Sequence, residues 1–242
     1  MTPLLRQVRV AVAAAALLAS APARGQVLMG YVFGDLLASK TFNLGFEIGL
    51  NFSTLQGLDG AERTNWTVFG LFADWRFSEH FHLGGAVLPI AGRGTVGITP
   101  APTGDAAFDA LVKGATAQRS LTYVEIPLLL KWAPKRETGL RVGVGPSFGI
   151  VTGGTDRYGL VSAAGADYTV ERDIGRDLPS LDVGISADVE WRFKLLAIAV
   201  RYTQGLTDLR LPGETKAVHS QVLTGTGRIA LGKKKDAPPA TP

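Results

Sequence analysis

The strongest acid–base candidate in the sequence is a pair of carboxylates, Asp188 and Glu190, which lie two residues apart. Side chains at this spacing on an extended strand point to the same face, and paired carboxyl groups can carry out general acid–base chemistry. Arg192 lies on the same face, and Arg201 belongs to the next predicted strand. We therefore interpret the two carboxylates as members of ion pairs, and we predict no catalytic role for them.

A serine and a histidine form the best enzymatic candidate. His219 and Ser220 follow a loop that contains Asp208, so the three residue types of a hydrolase site lie near one predicted rim of the domain. Three common residue types near a loop are a weak pattern, and we predict no catalytic residues. His80 and His82 flank a short turn with no third metal ligand nearby, which predicts exposed turn residues and no metal site.

Two glycine pairs, at 143–145 and 225–227, could suggest a nucleotide-binding loop. Such loops hold a phosphate at the start of a helix, and neither pair precedes a predicted helix. We therefore predict no cofactor. The net charge of +4 is modest and spread along the chain, which gives no indication of nucleic-acid binding. The absence of cysteine excludes disulfides and thiolate metal sites.

These residues belong to segments in which polarity alternates with a period of two. In Leu181–Phe193 every odd-numbered residue is apolar, and the even-numbered ones include Asp182, Asp188, Glu190 and Arg192. A helix would scatter those charges around its circumference, so the pattern predicts a strand. Similar segments occur at 42–54, 65–77, 81–90, 121–132, 138–151, 195–204 and 219–232. Between them, one helical turn is expected near 106–113 and a protruding ribbon near 167–170.

The connections between these eight segments alternate in length. They are long after the first, third, fifth and seventh segments and short after the others. Together with the even strand number and the aromatic residues at strand ends, this rhythm is typical of outer-membrane barrels. We predict an all-β fold, an eight-stranded antiparallel up-and-down transmembrane β-barrel with long extracellular loops and short periplasmic turns. The alternative is a soluble lipocalin-type barrel, which needs the reverse polarity of apolar lumen and polar exterior.

The polar faces carry small residues and charges, which the membrane barrel would enclose. Buried charges are tolerated when they are paired or hydrated, and an eight-stranded barrel is just wide enough for side chains to fill it. We therefore predict a structural ionic network inside the barrel. Its predicted members are Glu47, Asp74, Arg76, Glu125, Lys131, Arg141, Asp182, Asp188, Glu190, Arg192, Arg201 and Arg228.

The two ends of the chain differ from the strands. Residues 1–25 have the basic start, short apolar core and small residues of a signal peptide, with cleavage before Gln26 or, alternatively, after Ala23. Residues 26–41 form a lead segment of no clear pattern, residues 42–232 the barrel domain, and residues 233–242 a charged, proline-rich disordered tail in the periplasm.

One strand carries a family motif. Tyr123–Trp132 reads YVEIPLLLKW, and it is followed by Gly145-Pro146 and by Arg201–Leu206, RYTQGL. In these features the chain resembles the PorT-like, porin-family outer-membrane β-barrel domain of Bacteroidetes. The resemblance covers residues 42 to 232 and implies the barrel rather than an activity.

The expected function follows from the predicted barrel. We predict an outer-membrane protein with an envelope-structural or loop-mediated binding role. The alternatives are a narrow solute conduit, a barrel enzyme with a site at the rim, and a soluble ligand-binding barrel. The expected partners are outer-membrane lipid and an unknown extracellular or envelope partner bound through the loops. We expect a monomer.

Overall fold

The computed structural model describes residues 41–134, 138–162 and 165–231. The predicted signal peptide, the lead segment up to residue 40 and the predicted tail lie outside the described residues. Within the described part, nine strands and one helix follow each other along the chain. They are β1 (Phe42–Gln56), β2 (Thr64–Arg76), β3 (Phe81–Ile98), α1 (Ala106–Leu111), β4 (Thr116–Trp132), β5 (Gly139–Val161), β6 (Asp167–Asp173), β7 (Leu181–Phe193), β8 (Leu196–Gly205) and β9 (His219–Ala230).

Eight of the strands form a closed antiparallel ring. Strands β1 to β5 pair in sequence order, β5 continues to β7, β8 and β9, and β9 pairs with β1. Strand β6 pairs with the outer part of β5 and lies outside the ring. Closure satisfies the backbone hydrogen bonds of every barrel strand, which the interior of a membrane requires. The predicted eight-stranded antiparallel barrel is confirmed.

The barrel is polar inside and apolar outside. On β7 the outward-facing side chains of Ile185 and Val189 are each 51% exposed, whereas the inward-facing Asp188 is 2% exposed. The same alternation runs along β8, where Ile198 faces out and Arg201 is buried. An exterior of this kind matches the hydrocarbon of a bilayer, so the lipocalin-type alternative does not describe this fold.

The two edges of the apolar exterior differ in composition. At the end with the short turns, exposed aromatic side chains lie on or next to β2, β3, β4 and β7: Trp75, Phe77, Phe81, Trp132, Trp191 and Phe193. At the other end the Gln221 amide donates hydrogen bonds to the side-chain oxygens of Gln56 and Gln204, at 3.0 and 3.1 Å. Exposed aromatic side chains mark a polar–apolar boundary of a membrane, and the long connections of a barrel lie at its extracellular end, which here is the end with the glutamines. Residues beyond the three glutamines therefore project on the extracellular side.

Three strands continue past this outer boundary, contrary to the sequence prediction. The predicted loops 91–120 and 152–179 are too long, since β3 runs to Ile98, β4 begins at Thr116 and β5 runs to Val161. Outside the lipid, both faces of a strand tolerate polar residues, so the apolar period of two that marks the membrane part disappears. Close backbone approach also replaces side-chain packing there: a Cβ on Gly94 would overlap the carbonyl oxygen of Arg119.

The expected helical turn and ribbon are both present in these outer connections. The Asp105 side chain caps α1 by accepting hydrogen bonds from the amides of Ala107 and Phe108. Strand β6 forms the predicted ribbon by pairing with β5 from Thr155 to Val161. Among the described residues, no helix is both long enough and apolar enough to cross a membrane.

Candidate functional site

The inward-facing charges lie together in the barrel interior. Eleven of the twelve residues predicted for it are buried, and Arg76 is half-buried at the end of β2. The group has three layers along the barrel axis. We call them the inner, middle and outer ionic layers, the inner one lying at the end with the short turns.

The inner ionic layer is built around Asp74 and Glu190. Lys131 donates to both carboxylates at 3.0 Å, and Arg192 contacts Asp74 at 2.6 Å and Glu190 at 2.9 Å. Arg141 lies 3.6 Å from Asp74 and 3.8 Å from Glu190. Each acid is thus held between several cations, which offsets the cost of removing these charges from water.

The middle ionic layer joins Glu47 and Asp188 to two arginines. Arg201 lies 2.9 Å from Glu47, and Arg228 lies 3.0 Å from Glu47 and 3.3 Å from Asp188. Arg228 also contacts Glu190 of the inner layer. Because one guanidinium touches acids of both layers, the network connects β1, β7, β8 and β9 across the interior.

The outer ionic layer depends on a residue that sequence reasoning missed. Arg93 lies 3.0 Å from Glu125 and 3.0 Å from Asp182, and it also donates to Ser220. Tyr123 donates to Asp182 at 3.3 Å, and its ring lies under the Arg93 guanidinium, 4.5 Å from ring centre to Cζ. The predicted third strand ended before Arg93, so this cation was assigned to a loop. A register shift between Leu88 and Ala91 changes which residues of β3 face inward, so the period of two at residues 82–86 gave no signal for Arg93.

The three layers together are electrically neutral and fill the interior with side chains. Six acids face six bases: Glu47, Asp74, Glu125, Asp182, Asp188 and Glu190 against Arg93, Lys131, Arg141, Arg192, Arg201 and Arg228. An eight-stranded barrel has room for side chains and little else. The ion pairs of this arrangement cross-link opposite walls of the barrel.

An apolar cluster covers the extracellular mouth of the barrel. Leu55, Leu121 and Tyr123 of the barrel wall pack in one buried cluster with side chains from two outer connections. The β6–β7 connection contributes Ile174 and Leu178, and the β8–β9 connection contributes Leu209, Leu211 and Val218. We call this cluster the outer cap. Sequence reasoning placed its loop members in structureless connections, because one isoleucine, three leucines and one valine among polar loop residues show no period.

A buried ion triad fastens the outer cap to the strands beneath it. Arg119 on β4 lies 2.8 Å from Asp156 on β5 and 2.8 Å from Glu214 in the β8–β9 connection. Burial alone would lower the pKa of Arg119, but the hydrogen bonds and charges of Asp156 and Glu214 raise it overall. The guanidinium therefore remains charged and holds the loop in place.

The histidines do not form a site. His82 is buried in the interior, so the prediction of an exposed turn residue is wrong for it, because β3 begins at Phe81 and turns the His82 side chain inward. His80 is exposed and makes a 3.1 Å hydrogen bond with the Ala133 carbonyl. No group of three or more acidic or histidine side chains in the described residues is placed to hold a metal ion.

The structure separates the members of the candidate hydrolase site. Ser220 points inward and donates to Asp182 at 2.9 Å, whereas its neighbour His219 points outward, 3.1 Å from the Thr207 carbonyl. Adjacent residues of a strand lie on opposite faces, so the imidazole cannot reach the hydroxyl. Asp208 accepts hydrogen bonds from the amides of Val218 and Arg210 and serves the loop instead.

Comparisons with known proteins agree with the fold. A model of the family described as outer membrane protein beta-barrel domain matches residues 26–210. No curated protein sequence matches the chain. Similar solved structures include Ail, the attachment invasion locus protein of Yersinia pestis, with 11% identity and a TM-score of 0.40, covering 80% of this chain and 100% of that chain.

Two further solved structures show comparably low sequence identity to this chain. Neisserial surface protein A has 9% identity and a TM-score of 0.39, with 78% of this chain and 97% of that chain covered. The outer membrane protein OprG from Pseudomonas aeruginosa has 11% identity and a TM-score of 0.29, with 81% and 96% covered.

Proposed function

Because the chain belongs to the outer membrane protein β-barrel domain family and lies in the outer membrane, we propose that it is a sealed barrel that displays a folded extracellular platform to a partner. The platform comprises the described residues of 57–63, 95–120, 153–180 and 205–218. The observation that carries the proposal is the filled interior: three ionic layers lie beneath an apolar cap, which leaves the exposed platform as the surface able to act on other molecules.

Support for sealing comes from how the loops are held. The outer cap packs apolar loop side chains directly onto the barrel wall, and the Arg119 triad ties the β8–β9 connection to β4 and β5. A Cβ on Gly213 would overlap the carbonyl oxygen of Pro102, so the second and fourth outer connections also meet closely. Loops that bury both apolar and charged groups hold one conformation, which suits a binding platform better than a gate.

The charge of the platform limits the class of partner. Its acids outnumber its bases by eleven to eight. The acids are Asp59, Glu62, Asp105, Asp109, Asp156, Asp167, Glu171, Asp173, Asp177, Asp208 and Glu214, and the bases are Arg63, Lys113, Arg119, Arg157, Arg172, Arg176, Arg210 and Lys216. Without the buried triad of Arg119, Asp156 and Glu214, nine acids and seven bases remain, so the surface is still negative. A negative surface repels polyanions, so we propose a neutral or basic partner rather than a sulfated glycan or a nucleic acid.

Sealing is tested by conductance in planar bilayers. The full chain, refolded in detergent and shown to be folded by its faster gel mobility before boiling, should insert without stepwise current increases. Discrete, reproducible current steps would instead support the narrow conduit. Passing the same folded protein over immobilised heparin tests the partner class: we expect no retention at physiological salt, and salt-dependent retention would contradict the proposed neutral or basic partner.

Three finer features complete the proposal. We propose that the protein is a monomer, that it has no catalytic activity, and that it belongs to the PorT-like subgroup. The separation of His219 from Ser220 supports the absence of catalysis. The motif at Tyr123–Trp132, which occupies β4 and contributes Glu125 and Lys131 to the interior, supports the subgroup.

A further inference from the structure

A large apolar groove lies on the outside of the barrel at the end with the short turns. Its volume is about 930 Å³, and it extends across the exterior of β5, β7, β8 and β9. The lipid-facing side chains that line it are Leu140, Trp191, Phe193, Leu196 and Ile229. All five are outward-facing and well exposed, so in the membrane this surface is covered by something apolar.

Among the residues that the structure describes, one exposed cation lies at the rim of the groove. Lys194, in the turn between β7 and β8, lines the groove and is exposed. Arg192 also lines the groove, but its guanidinium is buried on Asp74 and Glu190 and is not available to a ligand. Lys194 is therefore the described charge that an occupant of the groove can reach.

The backbone of Lys194 is unusual. With φ at 22°, it is the one non-glycine residue in the described part of the chain with a positive φ. Glycine or asparagine would adopt this conformation at lower cost. A lysine at a strained turn position, beside an apolar groove and at the polar boundary of the membrane, is the arrangement expected where the charge itself is needed.

We propose that the groove is a binding site for an anionic phospholipid of the periplasmic leaflet. An acyl chain packs against Trp191 and its apolar neighbours, and the headgroup binds Lys194. The inference rests on the membrane position of the barrel and not on its sealing or its partner. A lysine near a membrane surface attracts an anionic headgroup strongly enough for about a fivefold preference over a zwitterionic one.

Two tryptophans at the same end of the barrel make a matched test. Trp191 lines the groove and is 51% exposed, and Trp75, on β2, is 50% exposed and lies away from the groove. One protein keeps only Trp191 (Trp66→Phe, Trp75→Phe, Trp132→Phe), and the other keeps only Trp75 (Trp66→Phe, Trp132→Phe, Trp191→Phe). Both are refolded into phosphatidylcholine vesicles in which a minor fraction of phosphatidylglycerol carries brominated acyl chains, which quench tryptophan on contact.

The proposal predicts that Trp191 is quenched as if phosphatidylglycerol were enriched about fivefold around it, whereas Trp75 follows the bulk composition. With brominated phosphatidylcholine as the minor lipid, neither tryptophan should show enrichment. Equal quenching of Trp191 and Trp75 by brominated phosphatidylglycerol would overturn the proposal. If the barrel were not embedded at all, neither brominated lipid would quench either tryptophan, so that failure is distinct.

Substitutions at Lys194 separate a lipid contact from a structural role. Lys194→Gln should remove the enrichment around Trp191, and Lys194→Arg should retain it. Lys194→Gly removes the charge and relieves the backbone conformation, so the barrel should fold as well as the unsubstituted chain on cold and boiled gels while the enrichment is lost. Enrichment that persists in Lys194→Gln and Lys194→Gly would show that the lysine does not bind the headgroup.

Discussion

Replacing Arg93 with methionine tests the outer ionic layer and the energetic reasoning behind it. Methionine keeps an apolar stem of similar length and removes the charge. In the structure this leaves Glu125 and Asp182 buried without the cation that lies 3.0 Å from each. Breaking a buried ion pair costs about 3–5 kcal/mol, because the remaining charge stays desolvated.

The structure refines that range. Asp182 keeps hydrogen bonds from Tyr123 and Ser220, whereas Glu125 keeps one from Ser147. Those donors offset part of the loss, so we expect Arg93→Met to lower the free energy of unfolding by about 4 kcal/mol. Adding Glu125→Gln and Asp182→Asn to Arg93→Met should recover about half of the loss, because no unpaired buried charge then remains.

The assay is equilibrium unfolding in urea of the protein refolded in lipid vesicles, followed by gel mobility without boiling. Arg157→Met is the matched control: Arg157 contacts Glu171 at 2.6 Å, but both side chains are about half exposed, so its loss should cost at most about 1 kcal/mol. If Arg93→Met and Arg157→Met destabilise the protein equally, the interior charges are hydrated and the reasoning fails.

Three further predictions concern the wall and the cap. Glu214→Gln removes one acid from buried Arg119 and should lower the free energy of opening the β8–β9 connection by about 1–2 kcal/mol. Trypsin should then cleave the folded barrel after Arg210 or Lys216 roughly tenfold faster, and unchanged cleavage would contradict the triad. In Gly145→Ala the new Cβ would overlap the carbonyl oxygen of Leu128. The substitution should lower the free energy of unfolding in urea by at least about 2 kcal/mol. An unchanged value would mean that β4 and β5 move apart without cost at this position. The amides of Val218 and Arg210 lower the pKa of Asp208 below its usual 3.8, so the carboxylate orders the β8–β9 connection above pH 3.8 and loses this effect as the pH falls through the lowered pKa. Hydrogen exchange of the Val218 amide, corrected for its intrinsic rate, should therefore rise at that low pH in the unsubstituted chain. In Asp208→Ala the exchange should be fast at all pH values.

The membrane part of the fold was predictable because lipid imposes a strict rule on each strand. In β7 apolar residues alternate without a break with small, polar or charged ones, and its predicted bounds agree with the structure. The ring closes with each of the eight expected strands in place, and the inward charges lie where their period of two put them. Because hydrocarbon lies outside and a narrow polar interior lies inside, each strand position accepts few residue types. A single sequence therefore shows the alternation clearly.

The outer part was not predictable for the converse reason. Arg93 near the outer boundary and Arg119 beyond it face inward from segments whose outward residues are small or polar, so no contrast marks the strand. Arg76 shows the same effect at the other end, where the strand leaves the lipid and the side chain is half-buried. The outer cap brings into one cluster residues far apart in sequence, such as Leu121 and Leu209, which no local period predicts.

The most direct test of the sealed interior uses the absence of cysteine from the sequence. A single cysteine is introduced in place of Ser186, which is buried in the middle of the lumen, and in a second protein in place of the exposed Thr215. Each protein is refolded in vesicles and exposed to a small, water-soluble thiol reagent. A sealed barrel predicts rapid modification of the Thr215→Cys protein and none of the Ser186→Cys protein until it is unfolded. Comparable rates for both would mean that water and solutes enter the lumen, and the sealed barrel would be wrong.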